Sequence, residues 1–326
     1  MTSWVILGSV PPPIGGVTTF VERFSDRLVR RGASVTVVNP QRPAELPRLM
    51  GAAARRPDFV ILNTVNLLGL IVSRLLFPCT KLILVDHNHS RKVVALAAAG
   101  GLRGRVLVPV YRLLLSTFDA IWIVSPHLDP HHRQIGHGTR TRRINPYIRP
   151  DARHHDAVVA TYSDRLRGVM EGATDESGPL FLTSAYKLVR EQGRDLYGFD
   201  LALEALARLI ATGRRARLIA FVADTSDPEA LHHFQAEAVR LGVADAVIWE
   251  TGQKILWPVF ARADCYLRLT STDGWSISVE EALDFGCTVI ASDVTPRDPR
   301  CVLFPYPDMD ALVDRMSAVA SRSKIS

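Results

Sequence analysis

The sequence predicts an α/β protein made of two doubly wound domains, and three observations lead there. Short runs of Val, Ile and Leu alternate with segments of helical periodicity along the chain. The alternation completes one set, crosses a proline-containing interval and begins again. The net charge is split: residues 1–150 carry 20 Lys+Arg and 7 Asp+Glu (+13), residues 151–326 carry 19 and 26 (−7), and the whole chain is +6. At 326 residues the chain also exceeds what one hydrophobic core usually supports.

The first set opens with a strand at Trp4–Ser9 and continues with strands at Ser34–Val38, Phe59–Asn63, Lys81–Asp86 and Ala120–Ser125. Their runs do not alternate with polar residues, as expected of strands buried on both faces of a parallel sheet. Between the first two, Val17, Phe20, Phe24 and Leu28 recur at helical spacing until Gly32, which completes a βαβ unit. The second set places strands at Leu180–Ser184, Ala216–Val222, Ala246–Glu250, Asp264–Arg268 and Thr288–Ser292. Helices fit Gly198–Ala211, Pro228–Leu241, Leu256–Arg262, Ser278–Phe285 and Met309–Ala320, with Asp308 and Asp310 as capping residues of the last. The boundary falls in Asn145–Asp156, giving domains of 1–150 and 151–326 that face a cleft.

Composition narrows the class. With 47% hydrophobic and 22% charged residues the chain is not disordered, and its 21 Gly and 20 Pro show no collagen-like period. Cys79, Cys265, Cys287 and Cys301 form no CxxC pair and are expected to be buried free thiols in a reducing compartment. The N-terminus lacks the basic region of a signal peptide, and no stretch reaches the roughly 18 apolar residues of a membrane span. A cytoplasmic protein is expected, with the inner membrane face open to it as a peripheral site.

Open parallel sheets bind ligands beyond the carboxyl ends of their strands, and four such loops carry chemistry. In PPPIGG, Gly15 and Gly16 permit close backbone approach ahead of a helix N-terminus. In VDHNHS, His87 follows a strand and can bond a hydroxyl or handle a proton; with His89 it lacks the further ligands of a zinc site. In YKLVREQGRDLYG, Lys187, Arg190 and Arg194 could meet a diphosphate. In TDGWSISVEEAL, Ser278 and Glu281 have capping-box spacing, which starts a helix at Ser278 and aims its N–H groups at TDGWS. Asp273 and Glu281 flank that start and can accept hydrogen bonds from vicinal hydroxyls, while Glu280 is expected to face solvent.

The stretch Asp273-GWSISVE-Glu281-AL, followed by Gly286 and TVIASD, resembles the signature of the GT-B glycosyltransferases, specifically the retaining group often called family 4. The GG loop, the VDHNHS loop and LYGFDLALEALARL resemble further family segments in the same order. The resemblance implies catalytic roles for His87, Asp273 and Glu281, with Asp273 on sugar hydroxyls and Glu281 on the nucleotide ribose. It implies donor contacts at Gly15, Gly16, Gly274, Trp275, Ser276 and Ser278. Lys187 then stands near the family's usual arginine position, and Arg190 or Arg194 supplies the further charge for the diphosphate, because Tyr197 stands near the position of the family's usual lysine. No metal or cofactor is implied, since the nucleotide sugar is a substrate and helix N-termini and basic groups stabilise the leaving diphosphate.

The same resemblance makes the basic half the acceptor side. Segment 91–115 mixes Arg and Lys with apolar residues, which fits an anionic membrane surface or a buried helix with a basic rim. A glycan or lipid-linked acceptor in bacterial surface polysaccharide or glycolipid assembly is the expected partner. Nucleic acid is not expected, because few aromatics interleave with the basic residues. The rivals are another GT-B enzyme, such as a nucleotide-sugar epimerase or a phosphorylase, and a non-catalytic GT-B scaffold subunit.

Overall fold

The computed structural model describes residues 1–87, 90–172, 178–191, 194–274 and 276–322. The chain divides into two compact units, Met1–Ile148 and Arg149–Ser326.

The first unit runs β1 (Ser3–Leu7), α1 (Gly16–Arg30), β2 (Ser34–Val38), α2 (Leu46–Ala54), β3 (Phe59–Leu62), α3 (Leu67–Leu76), β4 (Lys81–Asp86), α4 (Ser90–Ala98), α5 (Leu102–Ser116), β5 (Ala120–Ile123), α6 (Asp129–Ile135) and β6 (Thr141–Arg143). The six strands form one parallel sheet in the order β2-β1-β3-β4-β5-β6. Val5–Leu7, Val60–Leu62 and Leu82–Val85 are buried, as their unbroken apolar runs require. The chain leaves β1 for β2 on one side and returns to β3 on the other, so the topological switch point lies between β1 and β3. Segment 91–115, for which a buried helix with a basic rim is one of the two sequence readings, is split between α4 and α5. Gly104 lets the two pack closely, since a Cβ there would lie 2.5 Å from the Leu96 carbonyl oxygen.

The second unit runs α7 (His155–Val159), α8 (Asp164–Glu171), β7 (Leu180–Lys187), β8 (Arg190–Glu191), β9 (Arg194–Asp195), α9 (Phe199–Ala211), β10 (Arg217–Asp224), α10 (Pro228–Arg240), β11 (Val247–Thr251), α11 (Trp257–Phe260), β12 (Cys265–Arg268), α12 (Ile277–Asp284), β13 (Thr288–Ser292), β14 (Val302–Phe304) and α13 (Met309–Arg322). Its parallel sheet has the order β11-β10-β7-β12-β13-β14, and β8 and β9 form a small antiparallel pair. One core includes Phe199, Leu203, Leu206, Leu312 and Met316; a second includes Tyr162, Leu166, Trp257, Phe260 and Tyr266. The switch point here lies between β7 and β12.

Two expectations are corrected. Cys79 is exposed, while Cys265 and Cys287 are buried and Cys301 is half-buried. At the last helix Asp308 does cap, accepting from the Ala311 N–H at 3.0 Å, but Asp310 pairs instead with Arg208 at 2.9 Å.

Candidate functional site

In the first unit, chemistry-bearing residues sit at the carboxyl ends of β1, β3 and β4. Gly15 is the N-cap of α1 at φ −159° and ψ 167°, an extended conformation open to any residue. The Thr18 hydroxyl accepts from the Gly15 N–H at 3.0 Å and lies 2.7 Å from the Pro13 carbonyl, so the loop is tied to the first helical turn, which includes Gly16. His87 follows β4 with Nε2 3.4 Å from Asn63 Oδ1, and its ring meets Phe20 of α1 edge-on at 5.2 Å. Asp86, fully buried, accepts from the Ser90 N–H at 3.3 Å and lies 2.9 Å from Nε2 of the equally buried His132. The residue just before His87 is therefore anchored to α4 and α6. The companion His89 lies outside the described residues.

In the second unit Lys187 ends β7, and its ammonium donates to the Ser226 hydroxyl at 3.1 Å. Arg190 is exposed and contacts His233 Nε2 at 2.9 Å. Its guanidinium thus meets α10 in this structure. The side chain of Arg194 and the whole of Trp275 lie outside the described residues. Asp195 caps the start of α9, accepting from the Phe199 N–H at 2.5 Å and the Tyr197 N–H at 3.3 Å. Burial pushes its carboxyl up to about 6, against the downward pull of those two N–H groups. Gly198 has φ +73°, and a Cβ there would fall 2.4 Å from the Leu269 carbonyl oxygen. Only glycine lets α9 start against the loop that follows β12, and Ser271 N–H to Leu196 O at 3.0 Å joins the two loops.

The loop after β12 is built around Asp273. Arg268 donates to both of its oxygens at 2.9 Å, Arg297 Nη1 to Oδ2 at 2.6 Å, and the Gly274 N–H to Oδ1 at 2.9 Å. Burial would raise this carboxyl, but the charge and hydrogen bonds of Arg268 and Arg297 outweigh it and hold it at about 2. The four hydrogen bonds fill the approximate lone-pair capacity of a carboxylate. Asp273 is therefore the holder of two cations in this structure, where the sequence reading gave it sugar hydroxyls. Arg268 also lies 5.5 Å from the centre of the Tyr197 ring. Arg297, only 3% exposed, reaches the Thr270 hydroxyl at 3.2 Å and the Ser292 carbonyl at 3.3 Å.

The expected capping box is not formed. α12 begins at Ile277, its N-cap Ser276 has extended backbone, and no side-chain cap hydrogen bond is made. The Ser278 hydroxyl instead lies 2.9 Å from that of Ser276 and 3.0 Å from Tyr266 Oη, which is itself 2.9 Å from Ser184 Oγ. This chain ties α12 to β12 and β7. Glu281 is buried in α12, close enough to Tyr162 to add to the rise that burial causes in that phenol. Glu280, expected to face solvent, is 5% exposed and lies 3.7 Å from Arg300. Gly274, Ser276, Glu280 and Arg297 line one small pocket beside the N-terminus of α12, together with Val279, Pro296 and Asp298. Sequence reasoning missed Arg268 and Arg297. Arg268 was readable as a cation at a strand end, but nothing local marks Arg297, which lies 24 residues beyond Asp273.

Residues 189–322 match the family described as Glycosyl transferases group 1. No curated protein sequence matches the chain. Among solved structures, the chain is similar to sucrose-phosphate synthase from Thermosynechococcus elongatus, with 15% identity, TM-score 0.66 and coverage of 99% of this chain and 91% of that one. It is similar to HepE from Anabaena in complex with UDP-glucose, with 14% identity, TM-score 0.65 and coverage of 99% and 91%. It is also similar to WaaG, a glycosyltransferase involved in lipopolysaccharide biosynthesis, with 16% identity, TM-score 0.61 and coverage of 99% and 91%. The fold is GT-B, and the match to the glycosyl transferases group 1 family lies within the second unit.

Proposed function

We propose that this GT-B chain, with its match to the glycosyl transferases group 1 family, moves a sugar from a nucleotide-sugar donor to a glycan or lipid-linked acceptor with retention of anomeric configuration. One observation carries the reading. At the switch point of the second unit, the N-terminus of α12 meets Gly274, Ser276 and Arg297 around one pocket, inside the segment that matches the family. HepE is described with UDP-glucose and WaaG in lipopolysaccharide biosynthesis, which supports a nucleoside diphosphate sugar as donor and bacterial surface polysaccharide or glycolipid assembly as the setting.

The barrier lies in departure of the nucleoside diphosphate from the anomeric carbon. Negative charge develops on the leaving oxygen, and the N–H groups at the start of α12 are already oriented to receive it. Arg268, Arg297 and Asp273 together carry one net positive charge, fixed by hydrogen bonds before the donor arrives. That fixed cation adds to the charge of Lys187, Arg190 and Arg194, which the sequence gives to the diphosphate. Glu281 holds the ribose hydroxyls, and His87, at the end of β4 in the first unit, keeps the catalytic role that the resemblance of its loop implies. No metal is required where these donors act.

The experiment is mass-spectrometric screening of a nucleotide-sugar panel for slow hydrolysis and for transfer. Hydrolysis of one donor is the expected result. Glu281→Ala should lower that turnover by about 10- to 100-fold, the loss of one hydrogen bond to a charged group, and should weaken nucleoside diphosphate binding in a titration. A non-catalytic scaffold has one observation in its favour, the engagement of Asp273 by two guanidinium groups. A protein that neither binds nor hydrolyses any donor in the panel would establish that reading instead.

A further inference from the structure

Helices α2, α3, α4 and α5 contain no Asp or Glu, yet carry Arg48, Arg74, Arg91, Lys92, Arg103, Arg105 and Arg112. Their placement in the fold gathers them. The crossovers β2 to β3, β3 to β4 and β4 to β5 all advance in one direction along the sheet order, and parallel crossovers are right-handed. These helices therefore lie on one face of the first unit's sheet, and α5 packs against both α3 and α4. The reverse step, β1 to β2, sends α1 to the opposite face.

The same layer exposes large apolar side chains. Leu68 and Leu75 on α3 are 72% and 73% exposed, and Leu102 and Leu113 on α5 are 81% and 68% exposed. Leu102, Val106, Pro109 and Leu113 repeat at steps of four, three and four, which makes one exposed stripe along α5. Leu46 and Met50 continue the pattern on α2. The opposite side of α5 is anchored in the unit by Gly104, Val108 and Leu115.

Helix stability does not account for the cations. Arg48, Arg91, Lys92, Arg103 and Arg105 occupy the first turns of their helices, where the helix dipole disfavours positive charge. An anion outside the protein would offset that cost. A second copy docking through the same face would set seven cations against seven, so self-pairing is opposed.

We infer that the α2–α5 layer is a docking surface for an anionic lipid bilayer, with the exposed leucines entering the headgroup boundary and the arginines contacting lipid phosphates. The inference deepens the proposed function by naming a membrane as partner of the acceptor-side unit. Its test separates the two, because vesicle binding needs neither donor nor acceptor.

The test is sedimentation of the full chain with vesicles of phosphatidylcholine plus phosphatidylglycerol, and with phosphatidylcholine alone. Binding to the mixed vesicles and weak binding to the neutral ones is expected. Leu102→Ser with Leu113→Ser should lower the partition coefficient by about tenfold or more for each leucine that inserts. Arg103→Glu with Arg105→Glu should lower it by about 25-fold or more, since each change removes an attraction and adds a repulsion, and suits the start of a helix, so α5 is expected to survive. Circular dichroism and donor hydrolysis should match wild type in both variants. Equal binding to both vesicle types, or unchanged binding by both variants, would overturn the inference. So would an absence of binding with an oligomer in light scattering that the leucine changes dissolve, which would assign the face to protein contact.

Discussion

At the scale of the residue, Asp273 is engaged by the protein itself. The acidic residue seven places before Glu281 stands where the signature requires it, but its oxygens are occupied by Arg268, Arg297 and the Gly274 N–H. Removing the charge leaves two buried cations facing each other. Asp273→Asn should therefore cost about 3 kcal/mol of stability or more, as breaking a buried ion pair does. The pH dependence has a definite sign. The carboxyl falls from 3.8 to about 2 in the folded protein, so the unfolded chain binds its proton first on acidification. Stability from this group, about 2 kcal/mol, is complete above pH ~4 and is lost as the pH falls toward 2. Acid unfolding followed by circular dichroism should show this component in wild type and not in Asp273→Asn. If the variant unfolds like wild type and loses only turnover, the carboxylate serves the substrate and not the arginines.

At the scale of the element, α9 is fixed at its start by two residues with opposed costs. Gly198 permits both the positive φ and the approach to Leu269. Gly198→Ala should destabilise the second unit by about 2 kcal/mol or more in thermal unfolding, and displace the loop after β12 enough to weaken donor binding. Asp195 is raised to about 6, so between pH ~4 and ~6 the folded state holds a proton that the unfolded state has released. Its contribution, up to about 3 kcal/mol, is present at low pH and is lost as the pH rises through 6. Asp195→Asn should flatten that part of the stability profile. These elements also mark what the sequence could disclose. β2, β4 and β13 begin and end where their apolar runs do, because burial on both faces leaves a continuous hydrophobic record. β6 and β14 are three-residue edge strands, and Thr141–Arg143 has no apolar record at all. The start of α12 was misplaced because Ser276 and Ser278 are both capping residues by type. Only the partner across space, Tyr266 on β12, decides that Ser278 bonds elsewhere. His87 and Glu281 were readable as motifs, but the Arg268–Asp273–Arg297 cluster joins segments by packing and leaves no periodic trace.

At the scale of the whole molecule, the split between +13 and −7 implies two kinds of electrostatics in one chain. The anion expected at the second unit enters a half whose net field opposes it. Its binding must rest on groups close to it: the N–H groups of α12, Lys187 and the arginines held by Asp273. Arg268 and Arg297 are 13% and 3% exposed, and ion pairs at that depth are screened little by salt. The cations of α2–α5 are spread over a surface, and their attraction to a bilayer is screened within a Debye length of about 10 Å at 0.1 M salt. The two bindings should therefore part company as salt is added. Between about 0.05 and 0.5 M sodium chloride, partition onto anionic vesicles should fall by about 100-fold or more as several contacts are screened together. Over the same range nucleoside diphosphate affinity should change by about threefold or less. Calorimetric titration of the nucleotide and vesicle sedimentation, run on one protein preparation, measure both slopes. A nucleotide affinity that falls as steeply as vesicle binding would mean that the donor is held by exposed cations, and that the buried arginine pair only shapes the loop.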